Sequence, residues 1–244
     1  MIPFLMRIRS AALTDIGKIR EENEDRYLCD DELGLYAVAD GIGGLAGGAQ
    51  AAEEAIVRLS SLSRKLPPKE DWDFQTLFQT INQHVAGVGQ TIDAIYGIGT
   101  TLTVARLHNS ALHIAHVGDS SCFLWRDENF EKLTLDHTVE NELKVRQGRG
   151  VAVFLSARAR NALTRCIGQP DPPLADVFVR PLQEGDRILL CSDGVTRFSR
   201  DREIAHLMAT AANPGGALKR MIELAAARGG LDNATGVAVF VDGV

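Results

Sequence analysis

Apolar positions along this chain follow two periods, and the places where one gives way to the other mark the elements. Short runs dense in Val, Ile, Leu and Ala predict strands over 7–15, 26–29 and 35–39, the last two joined by the acidic turn Asp30-Asp31-Glu32 with Gly34. Ala52, Ala55, Ile56 and Leu59 then recur at helical spacing, so a helix opens out of the GGLAGG segment and breaks at Pro67-Pro68. Phe74, Leu77, Phe78, Ile81, Val85, Val88 and Ile92 form the stripe of a second helix. Strands return over 100–107, 111–117, 121–125 and 130–133, with turns at His108-Asn109-Ser110 and Asp127-Glu128-Asn129. Thr138 is placed to cap a short helix ending before Gly148, and 149–160 reads as an irregular excursion. Strands at 177–179 and 187–190, helices after Ser199 and after Asn213-Pro214, and a strand at 238–241 complete the chain.

Strands, two helices, strands, two helices and a strand make an α+β order. Two antiparallel sheets packed face to face, with amphipathic helices covering their outer faces, satisfy every predicted apolar surface. The expected fold is therefore a four-layer αββα sandwich. No repeat or Pro/Ser-rich linker interrupts the 244 residues, so residues 1–244 are expected to form a single domain with an excursion over 138–169.

Composition narrows the classes. A formal net charge of -6 argues against a dedicated nucleic-acid binder. No apolar run approaches the roughly 20 residues of a membrane span, and the N-terminus lacks the pattern of a signal peptide. Cys29, Cys122, Cys166 and Cys191 have no close spacing, and the last three lie in apolar runs, which reads as buried thiols in a reducing compartment. The expected location is the cytoplasm.

Carboxylates carry the candidate chemistry. Asp40 ends the run LYAVAD and precedes GIGG; Asp119 ends LHIAHVGD; Asp193 ends RILLCSD before Gly194; Asp232 and Asn233 precede the last strand. Taken singly, each fits a turn aspartate as well as a ligand. Their shared placement at strand ends beside small residues points to convergence on hard cations, which take oxygen ligands. Gly41 would let its main-chain carbonyl approach an ion. Aspartates gathered at one edge would otherwise repel, and a cation removes that cost.

Eight segments in order, RxxNED (20–25), VADGIGG (38–44), GTTLT (99–103), HVGDS (116–120), LTLDHT (133–138), LTRCIG (163–168), LLCSDGV (189–195) and DNATGVAV (232–239), resemble the motif series of the bacterial-type metal-dependent Ser/Thr phosphatases, the protein phosphatase 2C or PPM family. The resemblance implies two Mn²⁺ or Mg²⁺ ions, with Asp40 bridging them, Asp193 and Asp232 completing one site and the Gly41 carbonyl serving the other. It assigns Asp119, with Asp193, to a third ion, Glu24 and Asp25 to metal-bound waters, and Arg20 to the substrate phosphate. Asn233 falls beside these groups as a supporting residue. The implied reaction is direct attack of a metal-bridging hydroxide on phosphoserine or phosphothreonine. The implied partners are phosphorylated proteins, the targets of a Ser/Thr kinase and the kinase itself, and the chain is expected to act as a monomer. Two departures stand out: Ile42 replaces a histidine of some relatives, leaving water or His137 to protonate the leaving group, and Ser121 replaces an arginine after GDS.

Between 138 and 169 the cations Lys144, Arg146, Arg149, Arg158, Arg160 and Arg165 outnumber Glu140 and Glu142. This segment corresponds to the family's flap beside the active site, and its charge would attract acidic phosphopeptides as readily as it would form a merely solvated face. Two other readings use the same aspartates or the same surface: a two-metal phosphodiesterase, and a catalytically weak phosphoprotein-binding module.

Overall fold

Every strand among the described residues pairs antiparallel, in two sheets of five. The computed structural model describes residues 6–42, 47–68, 70–147 and 155–244, without the side chains of residues 157 and 158. One sheet runs β1 (Arg7–Asp15), β10 (Ala234–Gly243), β9 (Arg187–Cys191), β6 (Ser121–Arg126), β7 (Asn129–Lys132). The other runs β2 (Asp25–Asp30), β3 (Leu35–Asp40), β4 (Leu102–His108), β5 (Ala111–Val117), β8 (Asp176–Pro181).

Each central strand is apolar on both faces, and the reason is layering. Tyr36, Val38, Ala105 and Ile114 face Leu124, Ile188, Leu190, Val237 and Val239 in a core between the sheets. Their chain neighbours Leu35, Ala37, Ala39 and Val104 pack outward against α1 (Gly48–Ser63) and α2 (Phe74–Ile92), whose stripe includes Leu59, Phe78 and Ile81. On the far side Leu189, Cys191, Ala238 and Phe240 pack against α6 (Asp201–Thr210) and α7 (Pro214–Ala227) through Ile204, Met208 and Met221. This is the expected αββα sandwich, with helices on both outer faces.

Local chemistry sets the boundaries. Asp73 caps α2, its Oδ1 accepting from the Thr76 N–H at 3.0 Å. Asn213 caps α7 by accepting from Gly216, with Pro214 at the first helical position. Asn109 and Ser110, and again Asp127 and Glu128, take positive φ in two-residue hairpin turns. Thr138 Oγ1 accepts from Asn141 at the start of α3 (Val139–Gln147), as its position predicted. Two helical turns escape the sequence reading: α4 (Ala157–Arg160), inside the predicted irregular excursion, and α5 (Asp193–Thr196), directly after the Ser192 extension. Both are four residues long, too short to display a period. The GGLA stretch at 43–46 and the centre of the excursion, 148–154, lie outside the described residues.

Candidate metal centre

The strand ends bring the predicted carboxylates to one end of the sandwich. Asp25 opens β2 directly opposite Asp40, which closes β3. The start of β4 pairs with the end of β5, so Asp119 follows close by. In the other sheet the end of β9 pairs with Gly236 near the start of β10, which places Asp193 beside the Asp232-Asn233 segment. Ser192 Oγ donates to Asp25 Oδ2 at 2.7 Å and ties the two sheets together at this point.

Backbone contacts explain why small residues flank these positions. Gly41 donates its N–H to the Glu24 carbonyl at 3.1 Å. A Cβ there would sit 2.3 Å from the Gly48 carbonyl oxygen, so any side chain would push Asp40 and the start of α1 apart. Asp40 is fixed by Thr101, whose backbone N–H donates to the Asp40 carbonyl at 2.9 Å and whose Oγ1 accepts from the Asp40 N–H at 2.9 Å. Asn233 pins the loop that carries Arg20 and Glu24: its Oδ1 accepts from the Glu24 N–H at 2.9 Å, and its Nδ2 donates to the Ile16 and Glu22 carbonyls.

Electrostatics mark the cluster as short of positive charge. Burial and the neighbouring carboxylates, Asp25 first, push Asp40 well above the ordinary carboxylate range. Burial, then Asp119, pushes Asp193 up to about 8 against the opposing pull of Arg197. Burial raises Asp25 and Asp119 to about 6 each. Asp25 Oδ1 is buried without a partner. Glu24 is also raised, by burial first. Unpaired buried oxygen and carboxylates held above their usual range are what an all-oxygen site shows when its cations are taken away, so the donor set fits hard divalent ions.

The resident counter-charges are arginines. Arg20 bridges Glu24 Oε2 at 3.1 Å and Asp232 Oδ1 at 2.8 Å. Arg197 pairs with Asp193 Oδ2 and, at 3.2 Å, with Asp232 Oδ2. Among the described residues, no three acidic, His or Cys side chains are gathered as one ready ion site. The sequence reading missed Arg197. Its signal was the four-residue spacing from Asp193, which places both on one side of a helical turn.

His137 is engaged at both ring nitrogens: Nδ1 accepts from the Gly118 N–H at 3.1 Å, and Nε2 faces Asp176 Oδ2 at 3.2 Å. It thereby supports the turn before Asp119, and leaving-group protonation would break that arrangement. Ile42, where some relatives carry histidine, packs against Gly99 and offers no proton. A cavity of about 260 Å³ lies beyond His137, lined by Leu135, Val145, Arg165 and Asp176 but by none of the clustered aspartates. Of the cations in the excursion, Lys144, Arg146 and Arg165 are paired with Glu140, Glu142 and Asp176. Arg149 and the Arg158 side chain lie outside the described residues.

His116 supplies a pH-dependent element beneath the site. It is fully buried, shares a hydrogen bond with Thr103 Oγ1 at 2.9 Å and lies with its ring centroid 4.8 Å from that of His137, the two rings tilted by 37°. Burial, reinforced by His137, pushes it down to about 3. The unfolded chain takes up this proton near the ordinary value of about 6.5, and the folded chain does not. Stability from this group is therefore complete above about 6.5 and falls as pH drops toward 3, by at most about 1.4 kcal/mol per pH unit. Asp25 and Asp119, raised to about 6, pull the other way below that pH. Urea unfolding of His116→Gln between pH 4 and 7 isolates the histidine: its stability should rise less steeply with pH than that of the parent. Equal slopes would show that His116 titrates normally.

A sequence profile for protein phosphatase 2C matches residues 9–234. The chain belongs to the protein phosphatase 2C family. It is similar to the serine/threonine phosphatase stp of Listeria innocua, 32% identical over 232 residues that cover 91% of each chain. The solved serine/threonine phosphatase of S. agalactiae superposes with a TM-score of 0.85 at 31% identity, covering 96% of this chain and 100% of that one. The catalytic domain of PstP, solved with two manganese ions, superposes with a TM-score of 0.82 at 30% identity over 97% and 99% of the two chains. As a protein phosphatase 2C of bacterial type, this chain is a metal-dependent phosphoprotein phosphatase whose substrates are phosphorylated proteins. Among the described residues, no helix is long and apolar enough to cross a membrane.

Proposed function

We propose that this phosphatase hydrolyses phosphoserine and phosphothreonine in proteins, using one catalytic domain that spans the chain. The observation that carries the site assignment is the meeting of Asp40, Asp119, Asp193 and Asp232 at one end of the sandwich, with Asp40 and Asp193 held well above the usual carboxylate range. Asp40, the Gly41 carbonyl, Asp193 and Asp232 would hold two Mn²⁺ or Mg²⁺ ions, and Asp119 with Asp193 a third. When bound, such ions supply a nucleophilic water near neutral pH and neutralise charge on the phosphoryl oxygens.

The protein's own groups do the rest. Asp40 and Asp193 would orient the nucleophilic water that bound ions supply toward the phosphoryl group. Arg20, 36% exposed and already forked between two carboxylates, is placed at the rim where its guanidinium can turn to the equatorial phosphoryl oxygens. Glu24 and Asp25 would accept hydrogen bonds from water around bound ions, and Asn233 keeps the Arg20–Glu24 loop in register with Asp232. With His137 bound at both nitrogens and Ile42 apolar, the leaving alkoxide takes its proton from water. The chain would work as a cytoplasmic monomer opposite a Ser/Thr kinase, acting on that kinase's targets and on the kinase.

Release of inorganic phosphate from a phosphothreonine peptide tests the proposal. It should appear with Mn²⁺, vanish with chelator and return when the ion is restored. Release that persists undiminished after chelation and dialysis would overturn the metal assignment.

A further inference from the structure

Arg197 stands inside the acidic cluster, and the reading above gives it no task. Its backbone N–H donates to the Asp193 carbonyl at 2.8 Å, so the single turn of α5 delivers both side chains to one side. Its guanidinium then spans two carboxylates from separate segments, pairing with Asp193 Oδ2 at the start of α5 and with Asp232 Oδ2 before β10. Arg20 takes the remaining oxygen of Asp232. Both oxygens of Asp232 and one of Asp193 are therefore held by guanidinium groups, on two of the carboxylates that would hold divalent ions.

A guanidinium does not lose its charge at working pH, so it can release these carboxylates only by moving. The side chains are built for that asymmetry. Arg197 is 44% exposed and has solvent to swing into, whereas Asp193 and Asp232 are 14% and 17% exposed and stay in place.

We infer that Arg197 is a resident counter-cation that competes with divalent metal for Asp193 and Asp232, holding the metal-free cluster together and weakening metal binding. This rests on the metal reading above. Without any cation, the carboxylates of Asp40, Asp119, Asp193 and Asp232 repel one another. Arg197 offsets part of that repulsion with one charge. An entering ion offsets more with two, but it must first break the guanidinium pairs. Arg20 cannot take over, since its partners are Glu24 and Asp232 and it does not reach Asp193.

Removal of the competitor should thus change the empty and filled states in opposite directions. The metal-free parent, Arg197→Gln and Arg197→Lys are titrated with MnCl₂ by calorimetry and melted with and without the ion. Arg197→Gln should bind Mn²⁺ on the order of tenfold more tightly, melt lower without metal and gain more from its addition. Arg197→Lys keeps the charge but loses the fork, so it should fall between. Unchanged or weaker Mn²⁺ binding by Arg197→Gln overturns the inference; weaker binding with a raised KM for phosphopeptide would make Arg197 a substrate contact instead. A parent protein that takes up no Mn²⁺ overturns the metal reading itself, while a parent that binds with an affinity indifferent to Arg197 sinks this inference alone.

Discussion

Asp193→Asn is expected to lower Mn²⁺-dependent kcat/KM on a phosphothreonine peptide by at least about a hundredfold, and at the same time to raise the melting temperature of the metal-free protein. Loss of a residue that merely orients a ligand costs 10- to 100-fold in related chemistry, so removing a ligand outright should exceed that range. The second half of the expectation separates a functional carboxylate from a structural one. Asp193 is pushed up to about 8 by burial and by Asp119, Asp232 and Asp25, even with Arg197 beside it. A raised value means that the ionised form is unfavourable in the folded protein. The stability this group contributes is present below the unfolded value of about 3.9 and is lost as pH rises through about 8. At pH 8 asparagine removes a charge the metal-free cluster is worse for holding. A fall in both activity and melting temperature would assign Asp193 to the scaffold.

Gly194→Ala should damage the same site by sterics alone. A Cβ on Gly194 would lie 1.8 Å from the carbonyl oxygen of Asn233, with that residue's carbonyl carbon at 2.9 Å. Both atoms are backbone, so no side-chain rotation relieves the clash, and α5 must lift away from the start of β10. Overpacking of this kind costs about 2 kcal/mol, which for a chain of this size lowers Tm by about 4–8 °C. The displacement also separates Asp193 from Asp232, so Mn²⁺ affinity should fall further than stability does. A variant that melts and binds Mn²⁺ like the parent would show that α5 is free to shift and that the close approach sets nothing.

Both expectations concern a four-residue turn that the sequence pattern does not display. A helix advertises itself through repetition, and the stripe from Phe74 to Ile92 repeats often enough to locate α2 to the residue. A carboxylate beside a small residue at a strand's end or just before its start is likewise visible, which is why Asp40, Asp119, Asp193 and Asp232 could be singled out. What α5 does is not visible, because one turn has no period; its placement comes from the Arg197 N–H bond to Asp193 and the contact of Gly194 with Asn233. Arg197 was overlooked for that reason. His137 was open to a proton-donor role as a lone histidine beside an aspartate, and only its contacts with Gly118 and Asp176 bind it on both sides.

The order of elements, the α+β class, the two covering helix pairs and the strand-end aspartates were determined by the sequence itself, because apolar period and turn chemistry are local properties. Tertiary structure alone decided which strands are neighbours: β10, last in the chain, lies between β1 and β9, and β8 joins the sheet of β2 to β5. It also decided which charges meet. Asp25 and Asp40 face each other through strand register, Ser192 reaches Asp25 across 167 residues of chain, and Arg20 and Arg197 close on Asp232 from opposite ends of the sequence. Strand register within each sheet sets the first and last of these encounters, and the packing of one sheet on the other sets the Ser192–Asp25 bond; both rest on long-range burial of apolar surface that no local window of sequence contains.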